Sequence, residues 1–365
     1  MEKYALSNDG NNYIVTVAHK AYRINEPFYL ILSNIKSGYS LEYSINKVAT
    51  EKYIDADMLT KKFIEFAYTI KKNTGDGYIH LKQVVFKENI TNIISTQLVW
   101  LFSKRTMYML LLSCFLLNLL YLIENSSTIK YRVQHNVIFD IVVFGFYLVS
   151  LIIHELGHAA GTKAVGQRAK EIGFGFYLIF PVFYTDVTSV WNLRKRERII
   201  VNIGGVYFQL IINSISIIYV FVFPHSVVSD CIHCLIFSNI LVIIFSITPF
   251  FRNDGYWILS DYWNILNLQK KSDEYLIKAI INMKCKEKEE RRIVLFGIIN
   301  NIFRLYVLCQ LGNNVYVFFQ KVIESASLTT LLWNLFITII SMIGILLITS
   351  IYRKLFAYAQ HRKNN

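Results

Sequence analysis

The sequence predicts a mainly α, polytopic membrane protein with about six transmembrane helices, a re-entrant hairpin among them and a small α+β amino-terminal cytosolic domain. Three observations predict it. Of the 365 residues, 54% are hydrophobic and 15% aromatic, and the mean hydropathy is +0.38, which is more apolar surface than a soluble domain of this size needs. The apolar residues gather in long blocks almost free of charge, each near the roughly 20 residues that span a hydrocarbon core. The positive residues stand at the ends of those blocks, as the excess of Lys and Arg in cytoplasmic loops requires.

That third observation also decides how to read the net charge of +13. A basic protein can neutralise nucleic-acid phosphates, but these cations flank apolar blocks rather than lining one polar face, so no nucleic-acid partner is expected. The bilayer itself is. Five cysteines, at 114, 231, 234, 285 and 309, form no disulfide framework, and the lone Cys231-Ile-His-Cys234 is weak evidence for a metal. With only 4 Pro and 16 Gly, low-complexity linkers are not expected, and no internal repeat is visible.

Residues 1–100 read as a soluble α+β module of winged-helix type. Residues 13–18 alternate like a strand, 28–32 suit the start of a helix, 59–72 show helical periodicity with a polar face, and 78–86 suit a further strand or hairpin. No cleavable signal pattern is present there, so insertion is expected to rely on the first span. Residues 101–365 form the second domain. Its apolar blocks cover about 107–123, 137–153, 199–223, 234–251, 293–311 and 328–352. The fifth is interrupted by Asn300, Asn301 and Arg304, and the charged run 270–292 before it reads as a solvated loop. With the amino terminus inside, the inner loops collect Lys163, Arg168, Lys170, the cluster Arg194, Lys195, Arg196 and Arg198, then Arg252 and the basic 284–292 run. The outer loops hold chiefly Lys130, Arg132 and Lys321. Both termini are therefore expected in the cytoplasm of a multi-pass protein of the cell membrane.

The second block ends in His154-Glu155-Leu156-Gly157-His158. On a helix, positions i and i+4 share a face, so both imidazoles can reach one zinc ion. Glu155 falls beside them, placed to take a proton from a water that the metal acidifies. Three ionisable side chains at the end of an apolar helix are costly and point to function; the alternative is a pair of interfacial histidines bonded to their neighbours. Catalytic zinc takes three protein ligands and keeps one open position. Asp254, in Pro249-Phe-Phe-Arg-Asn-Asp-Gly-Tyr-Trp257, lies at the inner end of the fourth block, on the same membrane face. It is a candidate third ligand for one Zn2+ per chain, or else a helix-ending turn residue before Gly255.

Between these motifs, residues 173–190 are apolar but too broken to span. A re-entrant hairpin fits, since irregular backbone at membrane depth is tolerated where it lines a protein cavity. A strand edge there could hold an extended peptide by β-augmentation, which makes Phe183, Tyr184 and Asp186 candidate substrate contacts, with Asn253 beside Asp254. Asp186 could equally orient a ligand histidine or remain a solvated turn residue. Gly204-Gly205 in the third block suits close helix packing.

These residues resemble the site-2 protease class of membrane zinc metallopeptidases, closest to its peptide zinc metalloprotease branch, found near bacterial ribosomal-peptide pathways. The likeness covers 154–210, with His154-Glu-Leu-Gly-His158, Phe180-Pro-Val-Phe-Tyr-Thr-Asp-Val187 and Gly204-Gly205. It resumes at 249–268 with Asn253-Asp-Gly-Tyr-Trp-Ile-Leu-Ser-Asp261. The resemblance implies that His154, His158 and Asp254 ligate zinc, that Glu155 is the catalytic acid/base, and that a water-accessible cavity faces the cytoplasm. Thr248, Asn253 and Val206 depart from residues common in the class. Residues 1–100 resemble the small winged-helix leader-peptide recognition domains of the same pathways.

The expected activity is hydrolysis of a peptide bond in a peptide or membrane-tethered protein, in maturation, export or degradation of a ribosomally made peptide. A peptide transporter or modifying enzyme is the expected partner. The alternative is a peptide-binding export accessory or immunity protein with a structural zinc site, which would have no use for Glu155.

Overall fold

The computed structural model describes residues 4–8, 13–17, 20–73, 79–125, 137–177, 180–224, 226–282, 288–323, 335 and 337–346. The fold is mainly helical and falls into two compact units, Met1–Asn264 and Ile265–Asn365.

The first unit begins with an antiparallel meander of β1 (Tyr4–Asn8), β2 (Tyr13–Val17) and β3 (Lys20–Ile24). Its register places Tyr4 opposite Val17 and Tyr13 opposite Ile24. Three helices follow, α1 (Glu26–Lys36), α2 (Leu41–Lys52) and α3 (Ala56–Asn73). Asn25 caps α1 by accepting from Phe28 N–H, and Pro27 sits in its first turn, where a missing N–H costs nothing. Ser40 caps α2 in the same way, accepting from Tyr43 N–H. Ile31, Ile45, Val48, Leu59 and Phe63 close one core among the helices, and Val15, Val17, Ile24 and Ile70 close a second under the sheet.

The strand that follows, β4 (Ile79–Phe86), does not form a wing on this module. It pairs with β5 (Ile172–Tyr177), which pairs with β6 (Phe180–Thr185), in an antiparallel sheet ordered β4-β5-β6. The hairpin expected over 173–190 is therefore present as β5–β6, with a third strand drawn from the first hundred residues. After β4 come α4 (Glu88–Leu98), a 3-10 turn (Val99–Phe102), α5 (Lys104–Asn125) and α6 (Val137–Ala164). The hairpin leads through a second 3-10 turn (Thr188–Asn192) to α7 (Lys195–Val222), α8 (Val227–Ile247) and α9 (Asp254–Trp263).

The second unit holds α10 (Leu268–Asn282) and the 36-residue α11 (Lys288–Ile323). Much of the stretch read as a loop over 270–292 is thus α10, with Leu268 and Ser272 fully buried; residues 283–287 lie outside the described ones. The polar residues that interrupted the fifth block do not break α11. Arg304 donates to both oxygens of Asp273, at 3.0 and 3.3 Å, so its charge is carried into the helix pair already matched, the condition under which a charge is tolerated in an apolar span.

Among the described residues, five helices are long and apolar enough to cross a membrane: Lys104–Asn125, Ile141–Ala164, Lys195–Val222, Val228–Ile247 and Glu290–Val317. They match the first five expected blocks. The sixth, 328–352, lies largely outside the described residues, which hold residue 335 and the apolar helix Ile337–Leu346 of that stretch.

Candidate metal centre

The centre is built on one helix crossing. α6 and α7 meet at Gly157 and Gly204, where backbone lies on backbone: a methyl group on Gly157 would stand 2.2 Å from the Gly204 carbonyl oxygen, and one on Gly204 would stand 2.4 Å from the Gly157 carbonyl oxygen. Small residues allow such an approach inside a bilayer, where close packing must supply what water-driven burial does not. Gly205 extends the effect to the site itself. Its missing side chain leaves room for the imidazoles, since a methyl there would come within 2.5 Å of His154 Nε2 and 2.6 Å of His158 Nε2.

His154 and His158 are buried near the end of α6 with Nε2 atoms 3.1 Å apart. Asp254 reaches them from the first position of α9, with Oδ2 at 3.2 Å from His154 Nε2 and Oδ1 at 3.3 Å from His158 Nε2. Two features of the chain aim it. Asn253 Nδ2 donates to the Phe245 carbonyl in the last turns of α8, and Gly255 folds so closely onto Ile247 that a methyl would sit 1.8 Å from its carbonyl oxygen. Asn253 thus braces the turn, while its buried Oδ1 has no hydrogen-bond partner.

The donor set fits zinc. Ligands held at 2.0–2.1 Å on neighbouring corners of a tetrahedron lie about 3.3 Å apart, and the three contacts here run from 3.1 to 3.3 Å. The second nitrogen of each ring is also engaged. His158 Nδ1 lies 2.8 Å from the Val201 carbonyl, which can only accept, so Nδ1 carries the proton and Nε2 keeps its lone pair. His154 Nδ1 lies 3.0 Å from Gln209 Oε1, with the same consequence. With both rings neutral, two lone pairs and a carboxylate converge on one point, an arrangement that a cation resolves.

Glu155, also buried, is held from the hairpin. The Thr185 hydroxyl, at the end of β6, lies 2.7 Å from Glu155 Oε2 and 2.9 Å from its carbonyl oxygen. Thr185, Gln209, Val201 and Gly205 are the contacts that sequence reading missed as site residues. Thr185 stands inside the quoted hairpin motif and Gly205 was noted for packing, but nothing in the sequence marks Gln209 or Val201.

The hairpin candidates divide between two sheet faces. Phe183 lies on the Thr185 face, edge-on to Phe174 at 5.5 Å. Tyr184 lies on the other, its ring over Gly173, its hydroxyl 3.4 Å from Glu171 and Lys82 5.2 Å above it. Burial, then the Glu171 carboxylate, push the Tyr184 hydroxyl above its ordinary pKa. Among the described residues Asp186 meets no histidine. It accepts from Thr188 N–H at 2.9 Å and from Lys170 at 3.2 Å. Burial works to raise its carboxyl, and these partners outweigh burial and hold it below the ordinary value. Arg198, read as part of a basic cluster, is buried and donates to Asp261 at 2.7 Å, pinning α9, and with it Asp254, to the start of α7.

One curated relative brings the comparison to a point. Over 170 residues, 46% of this chain, the sequence is 27% identical to the Bacillus subtilis (strain 168) protein described as "Putative peptide zinc metalloprotease protein YydH". The resemblance read from the sequence is borne out. The chain spans 65% of that relative's length. No protein-family profile matches the chain, and no solved structure does.

Proposed function

We propose that the chain is a multi-pass membrane zinc metalloprotease that cleaves a peptide or membrane-tethered substrate at the cytoplasmic side of the bilayer. The observation that carries this reading is the triangle of His154, His158 and Asp254 with a buried carboxylate, Glu155, next to one corner. A structural zinc site has no use for that fourth group.

His154, His158 and Asp254 would hold the zinc, which when bound would supply Lewis acidity to the scissile carbonyl and to water near neutral pH. Gln209 and Val201 keep both imidazoles in the tautomer that offers Nε2. Thr185 steadies Glu155 through Oε2. Glu155 takes the proton from the attacking water, then delivers it to the leaving amine as the C–N bond breaks, giving a carboxylate and an amine. An extended substrate adds to the outer edge of β6, which among the described residues is paired only on its β5 side. Phe183 and Tyr184 lie on that strand and Asp186 just beyond it, and Asn253, next to Asp254, is the fourth candidate contact. The substrate class is a ribosomally made peptide, received through the module over 1–100 and passed to or from a transporter or modifying enzyme.

The test compares, by mass spectrometry, the peptides of native-host cells carrying either the wild-type chain or Glu155→Gln. A fragment seen only with wild type is the expected result and names both substrate and cut. Identical profiles, with expression and zinc content verified, overturn proteolysis in favour of a peptide-binding or export role.

A further inference from the structure

α4 has its faces arranged the wrong way round for a helix of a soluble domain. The residues it buries are small and polar: Thr91 and Ser95 are both 0% exposed. The large apolar residues it presents outward are Ile90 at 48% and Ile93 at 61% exposure, neighbours one turn apart, with Gln97 exposed beside them. A third strip, with Asn89 and Thr96, is exposed and polar. A soluble helix buries its apolar stripe against the core; this one packs Leu98 at its end on Met107 and Tyr207 but turns Ile90 and Ile93 away.

Its position says what covers that stripe. Asn92 accepts from Lys163 at 3.0 Å, and Lys163 stands in the last turn of the spanning helix α6. α4 therefore lies level with the end of a span. The 3-10 turn after it is tied to α7 by the Tyr207 hydroxyl, which donates to the Leu101 carbonyl at 3.0 Å. It then runs directly into the span α5, whose outward residues Tyr108, Met109 and Leu112 are exposed apolar side chains. Trp100, 63% exposed, sits at that junction, the level at which tryptophan rings favour the headgroup region. The free charges along the stretch are positive: Lys87, Lys104 and Arg105 are all exposed, while Glu88 is paired with Arg168 at 2.7 Å.

We infer that α4 and the turn after it are an in-plane membrane anchor, with Ile90, Ile93 and Trp100 seated at the headgroup–acyl boundary of an anionic leaflet and Lys87, Lys104 and Arg105 on its phosphates. Amphipathic segments bind a leaflet through this combination of apolar area and cations. The anchor has a consequence for the neighbouring sheet, because α4 follows β4 after a single residue and β4 is hydrogen-bonded to the hairpin. Anchoring α4 holds the sheet, and Thr185 with it, at a fixed depth.

The experiment places a photoactivatable benzophenone amino acid at position 90, 93 or 96 of the full chain in nanodiscs containing phosphatidylglycerol. Lipid adducts at 90 and 93, and none at 96, are expected. Adducts to a second copy of the chain at 93, or no adduct at 90 and 93 while a probe at the outward position 112 labels lipid, overturn the inference. Trp100→Phe offers an independent check that leaves the helix intact. It should remove part of the tryptophan emission quenched by lipids carrying a nitroxide at the headgroup, and unchanged quenching also overturns the assignment.

Discussion

The α6–α7 pair carries two buried polar clusters one helical turn apart, and they obey opposite rules. In the first, His154, His158 and Asp254 point acceptors at one another. In the second, Asn118, Asn213, Asn239 and Ser150 pass hydrogen bonds along one continuous chain: Ser150 donates to Asn239 at 2.6 Å, Asn239 to Asn213 at 3.0 Å and Asn213 to Asn118 at 3.0 Å. Asn118 donates in turn to the Cys114 carbonyl at 2.8 Å. Both clusters are buried polar groups on helices; the first joins α6 to α9, and the second joins α5, α6, α7 and α8. Only the second satisfies itself. A self-satisfied cluster is a structural clasp, whereas converging acceptors call for a cation from outside, and it is this, rather than mere burial of polar groups, that makes the first the candidate metal site.

The largest effect that could break the comparison is loss of the metal. A strong chelator should abolish cleavage and added zinc should restore it. His158→Ala should bring bound zinc, measured by atomic emission, to background. If the His158→Ala chain still holds one zinc per molecule, the converging acceptors are not its ligands.

Gly205→Ala comes next. Its methyl would press on both Nε2 atoms at 2.5–2.6 Å, so zinc content should fall nearly as far as in His158→Ala although no ligand is removed. Gly145→Ala, on the same helix as the histidines but with nothing within 4 Å of the added methyl, should leave zinc content and activity unchanged. Equal behaviour of the two variants would mean that the close approach of α7 does not shape the site.

How much of this was legible in the sequence follows from distance along the chain. His154 and His158 could be paired because a helix fixes the relation between i and i+4. Asp254 could be placed beside them because apolar blocks count membrane crossings and so assign a face. The hairpin over 173–190 could be read from an apolar stretch too broken to span. The partners that complete the site were not legible in this way. Thr185 lies 30 residues from Glu155, Gln209 55 from His154, and Arg198 63 from Asp261, and their meeting depends on which helices touch, at which turn. β4 illustrates the same limit: residues 78–86 suited a strand or hairpin, but nothing local announced β5, about 90 residues on, as its partner.

Gln209→Leu sharpens the comparison at the next level. It keeps the ligands and removes the acceptor that holds His154 Nδ1–H. Loss of such an outer partner weakens metal binding roughly 10–100-fold, read by competition with a fluorescent zinc chelator, and Gln209→Glu should restore most of it by accepting the same proton. Equal affinity in wild type and Gln209→Leu would remove Gln209 from the site.

The smallest effect is expected at the clasp. Asn213→Leu cuts the chain between Asn118 and Asn239 and should lower stability by about 0.6–2 kcal/mol, the worth of interhelical hydrogen bonds in a bilayer, seen as easier unfolding in denaturing detergent. Because the cluster satisfies itself and contributes no acceptor to the metal, zinc affinity at temperatures where the chain stays folded should match wild type. A drop in affinity as large as that of Gln209→Leu would show that the clasp sets the turn of α6 carrying His154, and the two clusters would then be one device rather than two.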